Sequence, residues 1–260
     1  VNNIEQEVAL VMTASIDPKG MPAASTLPDP KVRETDYVNA LDYYLVNHPR
    51  ITKIVFAENS GWPLDRLYTA AKKRDAVERV EFISSSLNDF PRELGKSYGE
   101  LLLLDHAIEQ SRFVGGSKYI AKITGRAIIP NLTRLLESAP EGVNFYGDLR
   151  DHRLYKLLGT GLCGQHGESR VFLTTPQFYN ENFRDKYVLM NEDKGIFLEN
   201  LIYDVVKKSL DGKRVVGRFR IEPDFQGIAG HAGKDYSSTR ETFKRKIRAL
   251  VRITIPWLWI

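Results

Sequence analysis

The chain has one cysteine, Cys163, which excludes an internal disulfide and suits a reducing compartment. Its nearest basic neighbour is His166, three residues on in a glycine-rich loop, so Cys163 reads as an incidental thiol. No apolar run approaches the roughly 18 residues that cross a bilayer. Val1–Glu7 is polar and slightly acidic, without signal-peptide character. No DxD occurs anywhere, no GxGxxG follows the first strand, and no Walker loop is present, which argues against the P-loop and dinucleotide-fingerprint classes. Internal repeats and low-complexity tracts are absent too.

What is present describes a folded protein. The 260 residues are 42% hydrophobic and 10% aromatic, enough for one large domain with a sizeable core. Lys and Arg number 37 against 33 Asp and Glu, for a net charge of +4. This mild excess favours anionic partners (nucleotides, phospholipid headgroups, nucleic acid) without choosing among them.

Apolar runs over 8–16, 51–57, 77–84 and 118–124 predict four strands, with helices over 34–46, 64–74, 101–112 and 131–137. Pro130 fits the first turn of the last of these. Such alternation predicts an α/β fold, a mostly parallel sheet with right-handed crossovers. Further on, 143–146, 170–174 and 214–221 read as strands, and 196–209 as a helix. A nucleotide-binding half to about 126 and an acceptor half over 127–242 would form one domain over 1–242, followed by a tail over 243–260.

Strand ends carry the candidate chemistry, because ligands of open α/β sheets bind beyond the carboxyl ends of the strands. Thr13 and Ala14 close the first strand and offer a small-residue floor for a base. Glu58, Asn59 and Ser60 leave the second, as a base or ribose rim or as a plain turn. Lys122, Thr124, Gly125 and Arg126 close the fourth, where two cations and a hydroxyl suit a phosphorylated ligand, or merely face solvent. Gly95-Lys96-Ser97-Tyr98-Gly99-Glu100, ahead of a helix, is an anion-site candidate through backbone amides and helix dipole.

In the second half Asp148, Asp151 and His152 form the densest acidic cluster, candidates for positioning a hydroxyl or a divalent cation, with Glu168, Arg170 and His166 near in sequence. Glu199 stands among Phe197, Leu198, Leu201 and Ile202, where desolvation suits general-base work; a solvent-facing helix glutamate is the ordinary alternative. His231 lies in a glycine-rich loop able to close over a ligand. In the tail, Phe243, Ile247, Leu250 and Val251 share one helical face, with Lys244, Arg245, Lys246, Arg248 and Arg252 on the other, ahead of PWLWI. That composition belongs at a membrane interface or on the protein core. The sequence stops within an apolar run, so the native chain is expected to continue.

The stretches MTASI, IVFAENSG, GKSYGE, KITGR, DLRDH, ESRVF, FLENLIY and PWLWI, taken in order, resemble a family of bacterial polysaccharide or lipopolysaccharide glycosyltransferases. The resemblance implies a glycosyltransferase A-like fold and a hexosyltransferase using a nucleotide-diphosphate sugar, with UDP the expected carrier. Its acceptor would be a lipid-linked glycan such as O-antigen, met at the inner face of the cytoplasmic membrane. It assigns Thr13, Ala14, Glu58, Asn59 and Ser60 to base and ribose, and Lys96 and Tyr98 to the diphosphate. Where such folds carry an acidic DxD this chain has Lys122-Ile-Thr-Gly-Arg126, so the expectation is cationic neutralisation without an obligatory ion, Mn²⁺ or Mg²⁺ being the alternative. Glu199, then Asp151, would be the base. A sugar nucleotidyltransferase is the second reading, weakened because the loop 17–30 has a single glycine. A non-catalytic nucleotide- or RNA-binding module is the third, weakened because basic and aromatic residues are not interleaved on one strand.

Overall fold

The computed structural model describes residues 4–18, 29–151, 164–226, 239–255 and 258–259. A short helix α1 (Ile4–Glu7) leads into β1 (Val8–Ala14), every residue of which is buried. Its sequence VALVMTA does not alternate because helices cover both faces of a parallel sheet. Helix α2 (Pro30–Asn47) starts where the Asp29 carboxylate accepts from Lys31 N at 2.8 Å, with Pro30 in the first turn. Then come β2 (Ile54–Glu58), α3 (Asp65–Lys73), β3 (Val80–Ser84), α4 (Gly95–Gln110), the single turn α5 (Arg112–Gly115), β4 (Tyr119–Thr124) and α6 (Leu132–Glu137).

The second half is built from short pieces: β5 (Phe145–Tyr146), β6 (Leu149–Asp151), β7 (Gln165–Gly167), β8 (Val171–Thr174), α7 (Pro176–Asn182), α8 (Leu198–Ser209), β9 (Val215–Val216) and α9 (Thr239–Thr254). Seven strands form one sheet in the order β3-β2-β1-β4-β8-β5-β9, and β6 and β7 make a separate antiparallel pair. Strands β1 to β4 are mutually parallel, β8 runs antiparallel to both β4 and β5, and β9 is parallel to β5. The fold is therefore the expected α/β class with a mostly parallel central sheet.

Successive residues of β1 feed opposite cores, as strand geometry requires. Val8, Leu10 and Met12 pack with Leu41 and Tyr44 of α2 and with Leu135 of α6, whereas Ala9 and Val11 pack with Leu101 and Leu104 of α4 and with Ile202 of α8.

Several boundaries differ from expectation. Helix α4 begins at Gly95, so GKSYGE forms its first turns instead of a loop ahead of it. The predicted strand over 214–221 contracts to Val215–Val216. Helix α7 was unpredicted, although Thr175 caps it by accepting from Phe178 N at 3.1 Å.

The tail helix packs on the body through its arginines. Arg252 of α9 points into the body and donates to both Asp148 oxygens at 2.8 and 2.6 Å, to Glu222 Oε2 at 2.6 Å and to the Phe219 carbonyl at 2.8 Å. Arg245 reaches the Phe225 carbonyl at 2.6 Å and pairs with Asp224. The Trp259 carbonyl accepts from Asp151 N at 3.1 Å, and the Lys207 ammonium sits 5.5 Å from its ring. The arginines of the helix thus turn inward, while Lys246 stays exposed.

Removing Arg252 takes away the main cation of Asp148 and leaves it Arg150 at 3.4 Å, which puts the cost at about 3 kcal/mol, the low end for a broken buried pair. Arg252→Met is expected to lose that much in urea unfolding; a loss below about 1 kcal/mol would show that the Asp148–Arg252 pair does not hold α9 in place.

Candidate functional site

In the order β3-β2-β1-β4 the chain moves outward from β1 through β2 to β3 and then returns to β1's other side as β4. The direction of winding reverses between β1 and β4, and a crevice opens beyond their carboxyl ends. The chain segments meeting there are Thr13–Asp17 after β1, Asn59–Ser60 after β2, and Thr124–Arg126 after β4. Gly125 N donates to the Thr13 carbonyl at 2.8 Å, and a Cβ on Gly125 would lie 2.7 Å from that oxygen. Only glycine permits this approach.

Lys122 forms the floor, with 0% of its side chain exposed. Its ammonium donates to Glu100 of α4, to the Ser169 carbonyl, and to Thr124 Oγ1 at 3.4 Å. Thr13 Oγ1 donates to the same Glu100 oxygen at 3.4 Å. Burial pushes the Glu100 carboxyl up, but Lys122 beside it, with help from Lys96 and Thr13, holds it below the usual carboxylate range. The expected diphosphate contact for Lys122 gives way to a buried counter-ion role, because every direction around the ammonium is met by the protein.

Glu58 is likewise internal. Its carboxylate accepts from Ile16 N at 2.9 Å, Ser60 N at 2.9 Å, Trp62 N at 3.2 Å and the Ser60 hydroxyl, stitching the β1 exit to the β2 exit. Ser60 Oγ in turn accepts from Asp17 N at 3.1 Å, and Ala14 O accepts from Asn59 N at 3.1 Å. These residues shape the rim. At the same rim the buried amide oxygens of Asn59 and Asn88 have no hydrogen-bond partner.

Arg126 is the most telling residue. It is 9% exposed, yet its Nε and Nη1 have no hydrogen-bond partner; Asp36 approaches only to 3.9 Å, and the guanidinium lies 5.7 Å from the Tyr37 ring centre. A second cation stands close by. Arg33 donates to the Ser15 carbonyl, and burial and then Arg126 push its guanidinium down while Tyr37 and Asp36 oppose the fall. Burial raises the Asp36 carboxyl against the pull of both arginines. Two crowded guanidiniums sharing one such carboxylate make a site that favours an anion.

The α4 N-terminus, expected to take an anion, already holds one from the chain. Glu192 accepts from Ser97 N at 2.9 Å and Ser97 Oγ at 2.6 Å. Tyr98 packs between Phe90 and Tyr187, at centroid distances of 4.8 and 5.3 Å. Lys96 remains half-buried on the Glu100 side.

In the second half the acidic cluster separates. Asp148 is bound to Arg252, whereas Asp151 accepts from Gln165 and Tyr203, each at 3.0 Å, and from Lys207 at 2.7 Å. Burial pushes the Asp151 carboxyl up, but these three donors bring it below its ordinary value, which weakens it as a base. Arg170 is paired with Glu168 and lies 3.8 Å from the Phe225 ring; burial raises the Glu168 carboxyl, and Arg170 outweighs it, taking it down to about 2. Glu199 accepts from Ser169 Oγ at 2.8 Å through one oxygen, and its other oxygen is buried without a partner. A polar chain therefore runs from Thr13 through Glu100, Lys122 and Ser169 to Glu199. His152 and His231 lie outside the described residues.

The β4 exit presents a hydroxyl, a glycine and a guanidinium, a donor set that does not fit a divalent ion. Among the described residues no three His, Cys, Asp or Glu side chains are grouped to hold a metal. Arg33, Tyr37 and Asn88 were missed in the sequence because nothing in a helix pattern or a polar loop marks a residue that folds back onto a strand exit.

No protein-family profile matches the chain, and no curated protein matches it. Solved structures do. An inositol-1-phosphate CTP transferase from T. maritima shares 14% identity over 82% of this chain and 84% of its own, with a TM-score of 0.46. A putative glucose-1-phosphate thymidylyltransferase from Bacillus anthracis, in complex with a sucrose, shares 11% over 93% and 95%, at 0.47. The mannosyltransferase Ktr4p from S. cerevisiae, in complex with GDP, shares 9% over 86% and 72%, at 0.44. Likeness at this level concerns chain path, and function has to be argued from the site.

Lys122→Met leaves Glu100 buried without its cation and is expected to cost about 3–5 kcal/mol at pH 7. In the wild type the depressed Glu100 carboxyl contributes stability above the unfolded carboxylate range, lost as pH falls below it. In the variant only Lys96 and Thr13 oppose desolvation, so the Glu100 carboxyl rises and the loss of stability toward acid shrinks. Urea unfolding from pH 7 to 4 should show the gap between the two proteins narrowing; a gap that is constant or widens would contradict the pairing.

Proposed function

We propose that the chain is a sugar transferase that binds a nucleotide-diphosphate sugar at the β1–β4 crevice. Arg126, buried at the switch point with unpartnered nitrogens, is the observation that carries this reading. A diphosphate supplies the anionic acceptors that Arg126 lacks, with Arg33 adding positive potential behind it. Asn59 and Asn88 offer amide groups to a base or ribose, and Thr13 and Ala14 form the floor. The donor is expected to be a UDP-hexose and the acceptor a lipid-linked surface glycan.

In an inverting transfer the acceptor oxygen bonds to the anomeric carbon as the bond from that carbon to the diphosphate breaks. Glu199 takes the acceptor's proton through its unpartnered oxygen, and Ser169 holds the carboxylate in place through the other. The nucleoside diphosphate leaves with its charge met by Arg126 and Lys96, a task cationic side chains perform without a metal. Asp151, held by three donors, is the weaker candidate for the base.

Calorimetry with UDP-, GDP-, CMP- and dTDP-sugars in excess EDTA is expected to find one binder. Arg126→Ala should weaken it at least ~10-fold, the loss of a charge-assisted bond, with Arg126→Lys intermediate. Unchanged affinity in Arg126→Ala, or binding that needs Mn²⁺, would overturn the reading. Release of nucleoside diphosphate from the donor marks a glycosyltransferase, whereas pyrophosphate formed from a nucleoside triphosphate and a sugar phosphate would mark a nucleotidyltransferase and contradict the assignment.

A further inference from the structure

Helix α9 is amphipathic in the reverse of the usual sense. Arg245, Arg248 and Arg252 face the body, where Asp148, Glu168, Glu222 and Asp224 receive them. Its apolar residues face water instead: Phe243 is 64% exposed, Ile247 40%, Leu250 60% and Ile253 80%. Positions 243, 247, 250 and 253 fall on one side of a helix, so these four form a continuous stripe. Water contact over such a stripe is unfavourable, and the buried ion pairs hold the helix in the orientation that presents it.

We infer that this stripe is a docking surface for an anionic lipid bilayer, on which α9 lies parallel to the membrane plane. The choice of occupant follows from charge. From Phe243 to Ile255 the helix has no acidic residue, and the exposed Lys246 lies beside Leu250 and Ile253 on the outward side. Beneath it Arg150, Arg218, Arg245, Arg248 and Arg252 outnumber the carboxylates of Asp148, Glu168, Glu222 and Asp224, so the potential around the stripe is positive. A second copy of the chain would present the same positive face. Four side chains expose a few hundred Å² at most, well below the ~800 Å² that each partner gives to a standard interface. No described helix is long and apolar enough to cross a membrane, so the contact is superficial. Trp259, packed under Lys207, takes no part in it.

Flotation of the full chain with phosphatidylglycerol-containing vesicles tests the inference. The protein should float with them and remain largely unbound to pure phosphatidylcholine, and added salt should weaken the binding. Leu250→Ser/Ile253→Ser should lower partitioning at least ~10-fold, given the apolar area removed from the lipid contact. Both side chains point outward, so its urea midpoint should stay within error of the wild type and sugar-nucleotide binding should be retained. Failure of the wild type to float, or equal flotation of the double variant, would overturn the inference. So would a dimer in sedimentation equilibrium that this variant dissociates, since a second copy would then be the occupant.

Discussion

A lysine ammonium in the middle of a buried, mostly parallel sheet is tolerable only if its charge is met where it sits. Lys122 meets Glu100 across the β4–α4 contact, and three elements are tied to that meeting: β1 through Thr13, the β4 exit through Thr124, and the chain entering β8 through Ser169. The pair fixes how α4 lies across the sheet. It also fixes where the Ser169–Arg170 backbone passes the β4 exit, because Thr124 N donates to the Arg170 carbonyl at 2.9 Å. Through Ser169 the same network sets the carboxylate of Glu199.

With Lys122 neutralised internally, the proposed ligand contact falls to a second pair of cations, Arg126 and Arg33. Arg126 follows the glycine that lets β4 turn against Thr13, and Arg33 reaches back from α2 to the Ser15 carbonyl. Burial and then Arg126 push the Arg33 guanidinium down, and burial raises the Asp36 carboxyl against the pull of both arginines. Lys122 organises the floor, and Arg126 is the cation that we propose meets the ligand. The two cations that look equivalent in Lys122-Ile-Thr-Gly-Arg126 therefore act in different ways.

The four parallel strands were legible because apolar runs punctuated by polar turns leave little else to predict, and three of their exits fall close to where the runs end. The roles of residues at those exits were less legible. Glu58 reads as a rim residue by position, but its four donors come from Ile16, Ser60 and Trp62, and only folding brings Ile16 there. Glu192, some hundred positions from Ser97, fills a helix terminus that local pattern presents as open. The direction of α9 was illegible for the same reason. Helical periodicity separates an arginine face from an apolar face, but only the partners Asp148 and Glu222 decide which one turns inward.

The division of labour between Lys122 and Arg126 is most directly tested by a crystal structure of the protein soaked with the nucleoside diphosphate that calorimetry selects. We predict diphosphate oxygens within hydrogen-bond distance of Arg126 Nε and Nη1, with Lys122 still paired to Glu100 and no metal between them. A diphosphate bound by Lys122 after its separation from Glu100, or bound away from Arg126 altogether, would contradict the account.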